Sequence, residues 1–210
     1  VEKLFELDSE KTTDFLIAQG TRRIEPKRVL YAFTPFVGSK DKIAVENAIR
    51  YLRRACSNPN ISTSSARDLA SHNLLTTLYV EALANKFRDN LFSELESYLR
   101  EAVRTEEVET FGTANDDFFN EVVSAAAAAS SNNNNNATTT TSNKKNQYAY
   151  YDPRYALTLL ESRVDKKLAY KCIAFLHCLL KEYEEAIRAA LEHGNDVELA
   201  KIIADAPVSN

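Results

Sequence analysis

The 210 residues are 44% apolar, with ten Phe and ten Tyr, enough to bury a sizeable core in one domain or in a short run of stacked repeats. Only four Gly and five Pro are present, too few to supply the frequent turns of an all-β fold. A net charge of −4 and a pI near 5.5 exclude a general phosphate-backbone binder, although a local basic face is still permitted.

Helix signals begin early. Asp8 and Ser9 offer N-caps to a helix carrying Phe15, Leu16 and Ile17, with Gly20 in the left-handed position that ends it. Pro26 suits a first helical turn, where its missing N–H costs nothing, and Val29, Leu30 and Phe33 follow on one face. Val45, Ile49 and Leu52 then recur at spacings of four and three, with Glu46 placed to pair with Arg50 outside. Ser65 and Asp68 form a capping box ahead of a helix from Leu69 to Leu83. Leu91, Leu95, Tyr98, Leu99 and Ala102 make a further stripe.

The pattern breaks after residue 104. From Thr105 to Glu121 there are six acidic residues and no basic ones, followed by runs of Ala, Ser, Asn and Thr to about Gln147. This tract has no apolar face to bury, so residues 105–147 read as an acidic, then low-complexity, disordered insertion. Helical punctuation resumes with Asp152-Pro153, an N-cap and first-turn proline ahead of Tyr155, Ala156 and Leu157. Leu168 to Leu180 is apolar on most sides, which predicts a helix buried between neighbours. Tyr183, Ala186, Ile187, Ala190 and Leu191 lead to Gly194. Asn195 with Glu198 forms a capping box for Val197, Ala200 and Ile203, and Pro207 ends that helix.

Every long periodic segment has the helical period, so the predicted class is all-α. Connections as short as Lys181-Glu182 and Gly194-Asn195 make the flanking helices antiparallel neighbours. An insertion is tolerated more cheaply between stacked repeats than inside a compact domain. Both points favour an α-solenoid of stacked antiparallel helix pairs. Its parts are N-terminal repeats over 1–104, the insertion over 105–147 and C-terminal repeats over 148–207. The absence of Met and the start at Val1 make the chain read as an internal piece of a longer protein. It opens on no signal peptide and has no apolar run long enough for a membrane span.

Residues for catalysis do not gather. His72, His177 and His193 lack partners at metal-ligand spacing, and adjacent His177 and Cys178 diverge by about 100° on a helix. Cys56, Cys172 and Cys178 are too few and scattered for a disulfide framework and read as reduced, buried thiols. Gly20, Gly38, Gly112 and Gly194 are isolated, so no phosphate-cradling loop exists, and Glu184-Glu185 is a solvated face. The sequons Asn60-Ile61-Ser62 and Asn136-Ala137-Thr138 are chance matches, since nothing else suggests secretion. The chain therefore reads as no enzyme, with no catalytic, cofactor or metal residues and no nucleic-acid or small-molecule ligand.

Arg22-Arg23 with Lys27-Arg28, then Arg50, Arg53 and Arg54, form one candidate basic edge for anionic lipid or an acidic partner, against the plainer reading of solvated helix surface. Lys166, Lys167 and Lys171 are a weaker cluster. Tyr148, Tyr150 and Tyr151 are placed to staple the following helix to the core.

Three pieces of the C-terminal segment are distinctive: YDPRYAL (Tyr151 to Leu157), YEEAIRAAL (Tyr183 to Leu191) and DVELAKIIADAP (Asp196 to Pro207). With ENAIRYLRRAC (Glu46 to Cys56) and SHNLLTTLYVE (Ser71 to Glu81) before them, their order resembles the clathrin-heavy-chain-type repeats of the class C vacuolar-protein-sorting subunits. The resemblance covers about half of the chain, and the long insertion before Tyr151 departs from it. It implies a scaffold fragment of an endosomal or vacuolar tethering complex, cytoplasmic and peripheral on endosomal and vacuolar (lysosomal) membranes. The implied partners are other class C subunits, with small GTPases and SNAREs reached indirectly in support of membrane fusion. The coiled coil and zinc-binding RING domain that end such subunits would lie beyond Asn210, so the resemblance implies no zinc site here. Two alternatives remain open: another coat or pore solenoid, clathrin-heavy-chain-like or nucleoporin-like, and a membrane-surface module using the basic edge.

Overall fold

The computed structural model describes residues 1–19, 26–57, 68–103 and 149–205, with the backbone alone over 26–28. The fold is an α-solenoid: ten α-helices and no β-strand occur among the described residues. They are α1 (Glu2–Leu7), α2 (Ser9–Gln19), α3 (Pro26–Phe33), α4 (Lys42–Ser57), α5 (Leu69–Ala84) and α6 (Leu91–Glu101), then α7 (Pro153–Arg163), α8 (Lys166–Leu179), α9 (Tyr183–Arg188) and α10 (Val197–Ala204). The chain divides into two compact units, one of residues 1–102 with 150–164 and one of 103–149 with 165–210. The predicted insertion, 105–147, lies outside the described residues, as do Ser65, Tyr148 and Pro207.

In the first unit α4 packs between α2 and α5, and α5 in turn packs against α6 and α7. The Val45–Ile49–Leu52 stripe of α4 is buried, as are Leu91, Leu95, Tyr98, Leu99 and Ala102 along α6. Each such aliphatic side chain contributes roughly 1.5–3 kcal/mol on burial, which is what draws isolated helices of this length into a stack. An additional helix, α1, precedes the first cap read from the sequence. Its Phe5 meets Phe33 edge-on at 4.9 Å and Phe36 at the same distance, sealing the outer end of the unit.

Of the apolar residues that α2 carries, Leu16 is buried and Phe15 is 51% exposed; Thr12 and Thr13 are buried beside Leu16. Thr12 Oγ1 donates to the Leu4 carbonyl at 2.9 Å and Asn47 Nδ2 to Ser9 Oγ at 2.9 Å, so α2 turns a small hydroxyl face toward its neighbours. One local expectation is corrected here: Glu46 does not pair with Arg50. Arg50 reaches Asp14 on α2 at 2.9 Å, while Glu46 contacts Lys42 and, 3.2 Å away, Arg88.

The caps follow the chemistry of the sequence with small shifts. Asp8 accepts from the Lys11 amide and Asp152 from the amides of Arg154 and Tyr155. Asp68, expected as the inner member of a capping box, is itself the N-cap of α5 and accepts from the Ser71 amide. Likewise Asp196, not Asn195, caps α10 by accepting from Leu199 N at 3.0 Å. Asn195 has φ +49° and takes the left-handed position that closes the preceding turn.

In the second unit α8 is the central helix, with an unbroken buried run from Cys172 to Leu179, and it packs against α9 and the π-turn Ala189–His193 that continues it. The link from α8 to α9 closes with Lys181 at φ +62°, its amide bonded to Cys178 O and that of Glu182 to His177 O. Lys86 ends α5 in the same way, with φ +54°. Gly194 serves a different need. Its φ of −95° is open to any residue, but a Cβ there would run into the Tyr170 ring, whose hydroxyl donates to Asp196 Oδ2 at 3.0 Å.

Gly194→Ala is therefore expected to cost about 1–3 kcal/mol through overpacking against Tyr170. A urea-denaturation cycle with Tyr170→Leu checks it: the alanine penalty must shrink once the ring is gone. An equal penalty in both backgrounds would place the strain elsewhere.

Candidate interaction surface

The buried histidines and thiols are built into helix contacts. His72 Nδ1 lies 2.9 Å from the Tyr98 hydroxyl, and the imidazole stacks between the rings of Tyr98 and Tyr150. The Tyr98 hydroxyl also donates to the His72 carbonyl at 3.1 Å. His177 Nδ1 stands 2.9 Å from Glu182 Oε2 across the α8–α9 turn. His193 is half-buried in the π-turn. All three cysteines are buried and outside any disulfide, and burial pushes the thiols of Cys56 and Cys178 up to about 12. Glu185 pairs with Arg188 at 2.8 Å. Among the described residues no three His, Cys, Asp or Glu side chains gather as a metal site.

Tyr98 is the centre of a cluster spanning α5, α6 and the chain that enters α7. Its ring stacks on Tyr79, meets Tyr151 at 6.2 Å and carries the Arg53 guanidinium over its other side, 5.3 Å from the centroid. Tyr151 is fully buried and donates to the Leu99 carbonyl at 3.1 Å. Tyr150 N donates to the Ala102 carbonyl at 2.9 Å. Residues 102 and 150 are thereby hydrogen-bonded neighbours despite their separation in the sequence.

Above this cluster, α4, α5 and α6 line an open surface groove, about 500 Å³ in volume. Helical spacing puts Arg50, Arg53 and Arg54 on one side of α4. Arg50 is held by Asp14, and Arg53 by Glu101 at 2.7 Å. Arg88 forks onto both carboxylate oxygens of Glu94, at 2.9 and 2.8 Å, while its Nε faces Glu46 as an ion pair without hydrogen-bond alignment. Arg54 is exposed and makes no ion pair or hydrogen bond with a described residue. Tyr79, 2% exposed, forms the floor; burial, opposed by the nearby charges of Arg53 and Arg88, raises its phenol to about 12. Thus the candidate basic edge is a mixed-charge groove over its described part, Arg50 to Arg54, and Arg22, Arg23, Lys27 and Arg28 lie outside the described side chains. The α4 arginines were legible in the sequence; Tyr79, Arg88 and the acids that answer them became a site only when three helices came together.

Lys167 and Lys171 are exposed on the first turns of α8. No helix of the described residues is long and apolar enough to cross a membrane.

A family model described as VPS18, alpha-solenoid domain, second half, matches residues 92–210. No curated protein matches the chain, and no solved structure does.

Tyr98→Phe removes the hydroxyl that serves both His72 Nδ1 and the His72 carbonyl, and is expected to cost about 1–3 kcal/mol in urea denaturation. High pH acts on the same core. Burial raises Tyr51 and Tyr79 from 10.0, and Cys56 and Cys178 from 9.0, each to about 12. The unfolded chain then loses these protons first, so stability is complete below about pH 9 and falls as pH rises through 9–12. Urea midpoints at pH 8 and pH 10.5 test the sign; Cys56→Ala should flatten the fall.

Proposed function

The chain belongs to the VPS18 alpha-solenoid family, and we propose that it is a scaffold segment of a class C tethering complex, acting by rigid display of helix pairs to neighbouring subunits. The family match over residues 92–210 is the observation that carries this reading. The physical character of the chain agrees with it. His72 stacks and His177 pairs inside helix contacts, the thiols are buried, and Asp68, Asp152 and Asp196 cap α5, α7 and α10. Such side chains hold shape and leave the surface to do the binding.

The finer reading is a subunit of endosomal and vacuolar complexes, peripheral on those membranes, that supports SNARE-mediated fusion and reaches small GTPases through its companions. Residues 105–147 act as an insertion between repeats, a reading supported by the hydrogen bond that brings residues 102 and 150 together. A membrane-surface role draws less support, because Arg50 and Arg53 are already answered by Asp14 and Glu101.

Affinity capture of the full-length protein from cell extract, with its companions identified by mass spectrometry, tests the assignment. Recovery of the other class C tethering subunits is expected. Recovery of clathrin-coat or nuclear-pore components in their place would overturn it.

A further inference from the structure

We infer that the end of the second unit, where the first turns of α8 lie beside the turn over residues 191–198, is a self-complementary surface that docks a second copy of the chain. The inference goes beyond the scaffold reading and does not rest on it.

Tyr170 brings the two elements together. Its ring occupies the space over Gly194 and its hydroxyl donates to Asp196 Oδ2 at 3.0 Å, so the turn into α10 is held against the beginning of α8. Both elements leave apolar side chains in solvent. Leu168 of α8 is 60% exposed, and Leu191 and Val197 of the turn are 44% and 50% exposed. An exposed leucine needs no explanation alone, but each of these stands next to charge that the chain does not answer. Lys167 and Lys171 lie a helical turn apart beside Leu168, exposed, and neither ammonium makes an ion pair or hydrogen bond with a described residue. Glu192, beside Leu191, is exposed and equally unpaired. Glu198, beside Val197, meets Lys201 at 3.2 Å, with both side chains far out in solvent, and such a pair is easily exchanged.

Charge complementarity selects the occupant. The surface has a basic side from α8 and an acidic side from the turn, and each side carries its own apolar residue. The nearby acids Asp165 and Asp196 are already engaged, as the N-caps of α8 and α10. A fitting partner therefore carries both signs in the opposite order. A second copy rotated by half a turn does so: its lysines face Glu192 and Glu198, its glutamates face Lys167 and Lys171, and the apolar side chains meet between them. An anionic lipid plane fits less well, because it meets the two glutamates together with the two lysines.

Sedimentation equilibrium of the 210-residue chain at neutral pH tests the inference. A reversible monomer–dimer equilibrium is expected. Lys167→Glu combined with Lys171→Glu weakens it at least tenfold, and so does Glu192→Lys combined with Glu198→Lys, because like charges then face each other across the contact. Mixing the two reversed chains in equal amounts restores association as a heterodimer. All four positions are exposed, and circular dichroism separates a lost contact from a lost fold. Should a doubled reversal change the helicity, Leu168→Ser gives the same reading and weakens the dimer several-fold. The inference is overturned by a chain that stays monomeric up to millimolar concentration, or by a dimer of equal strength in the folded variants. It is also overturned if the mixture fails to associate, if assembly runs on past the dimer, or if the chain stays monomeric while binding phosphatidylserine vesicles.

Discussion

The packing of Tyr98 is the interaction on which the first unit depends. One side chain stacks on His72 and Tyr79, tilts against Tyr151, carries Arg53 and bonds the His72 carbonyl. Through it α5, α6 and the start of α7 share one interior. Aromatic pairs add roughly 0.5–1.5 kcal/mol beyond the area they bury, and here several converge on one ring. The entropy of closing a chain grows slowly with length, about 0.6 kcal/mol for each doubling, so a few such contacts suffice to bring Tyr151 back to Leu99 across 52 residues. The aromatic cluster therefore holds the entry to α7 against α5 and α6.

The same cluster shapes the surface above it. Arg53 lies on Tyr98 and reaches Glu101, so its stem is fixed by packing before any partner arrives. Tyr79 stacks below and lines the groove. A groove whose floor and one wall are core residues is held in shape by the interior. The rigidity of the interior and the form of the surface above it are here two consequences of one set of contacts.

How much of this was readable in one dimension follows from the range of each interaction. Helices, the proline first turns and the cap at Asp152 are set by residues within four positions, and the sequence displays them. Capping at Asp68 and Asp196 was displaced by a residue or a role, because neighbouring Asn, Asp and Ser compete for the same amides and only the backbone path decides. Lys86 and Lys181 gave no signal at their left-handed positions, where the two C-terminal bonds impose the geometry. Arg50 and Glu46 had suitable helical spacing, yet each found a partner on another helix. Ion pairs within a helix are worth only about 0.2–0.5 kcal/mol, so tertiary alternatives win easily. Phe15 lies outside the core, where threonines of α2 donate to carbonyls of α1 and α4 in a close helix approach.

Packing also bears on what a half of this solenoid means. The family match begins at residue 92, one residue into α6, but the side chains that α6 buries, Leu95, Tyr98 and Leu99 among them, belong to a unit that starts much earlier. Tyr98 faces His72 and Tyr79 of α5, and Thr77 of α5 shares a 2.9 Å hydrogen bond with Tyr155 of α7. The start of the family match therefore falls within a continuous interior. Stacked repeats draw their stability from nearest-neighbour interfaces, so a boundary drawn from sequence need not be a boundary of folding. What sets the unit is α5, a helix apolar enough to be covered by α4, α6 and α7 together, with residues on both sides of position 92 covering it.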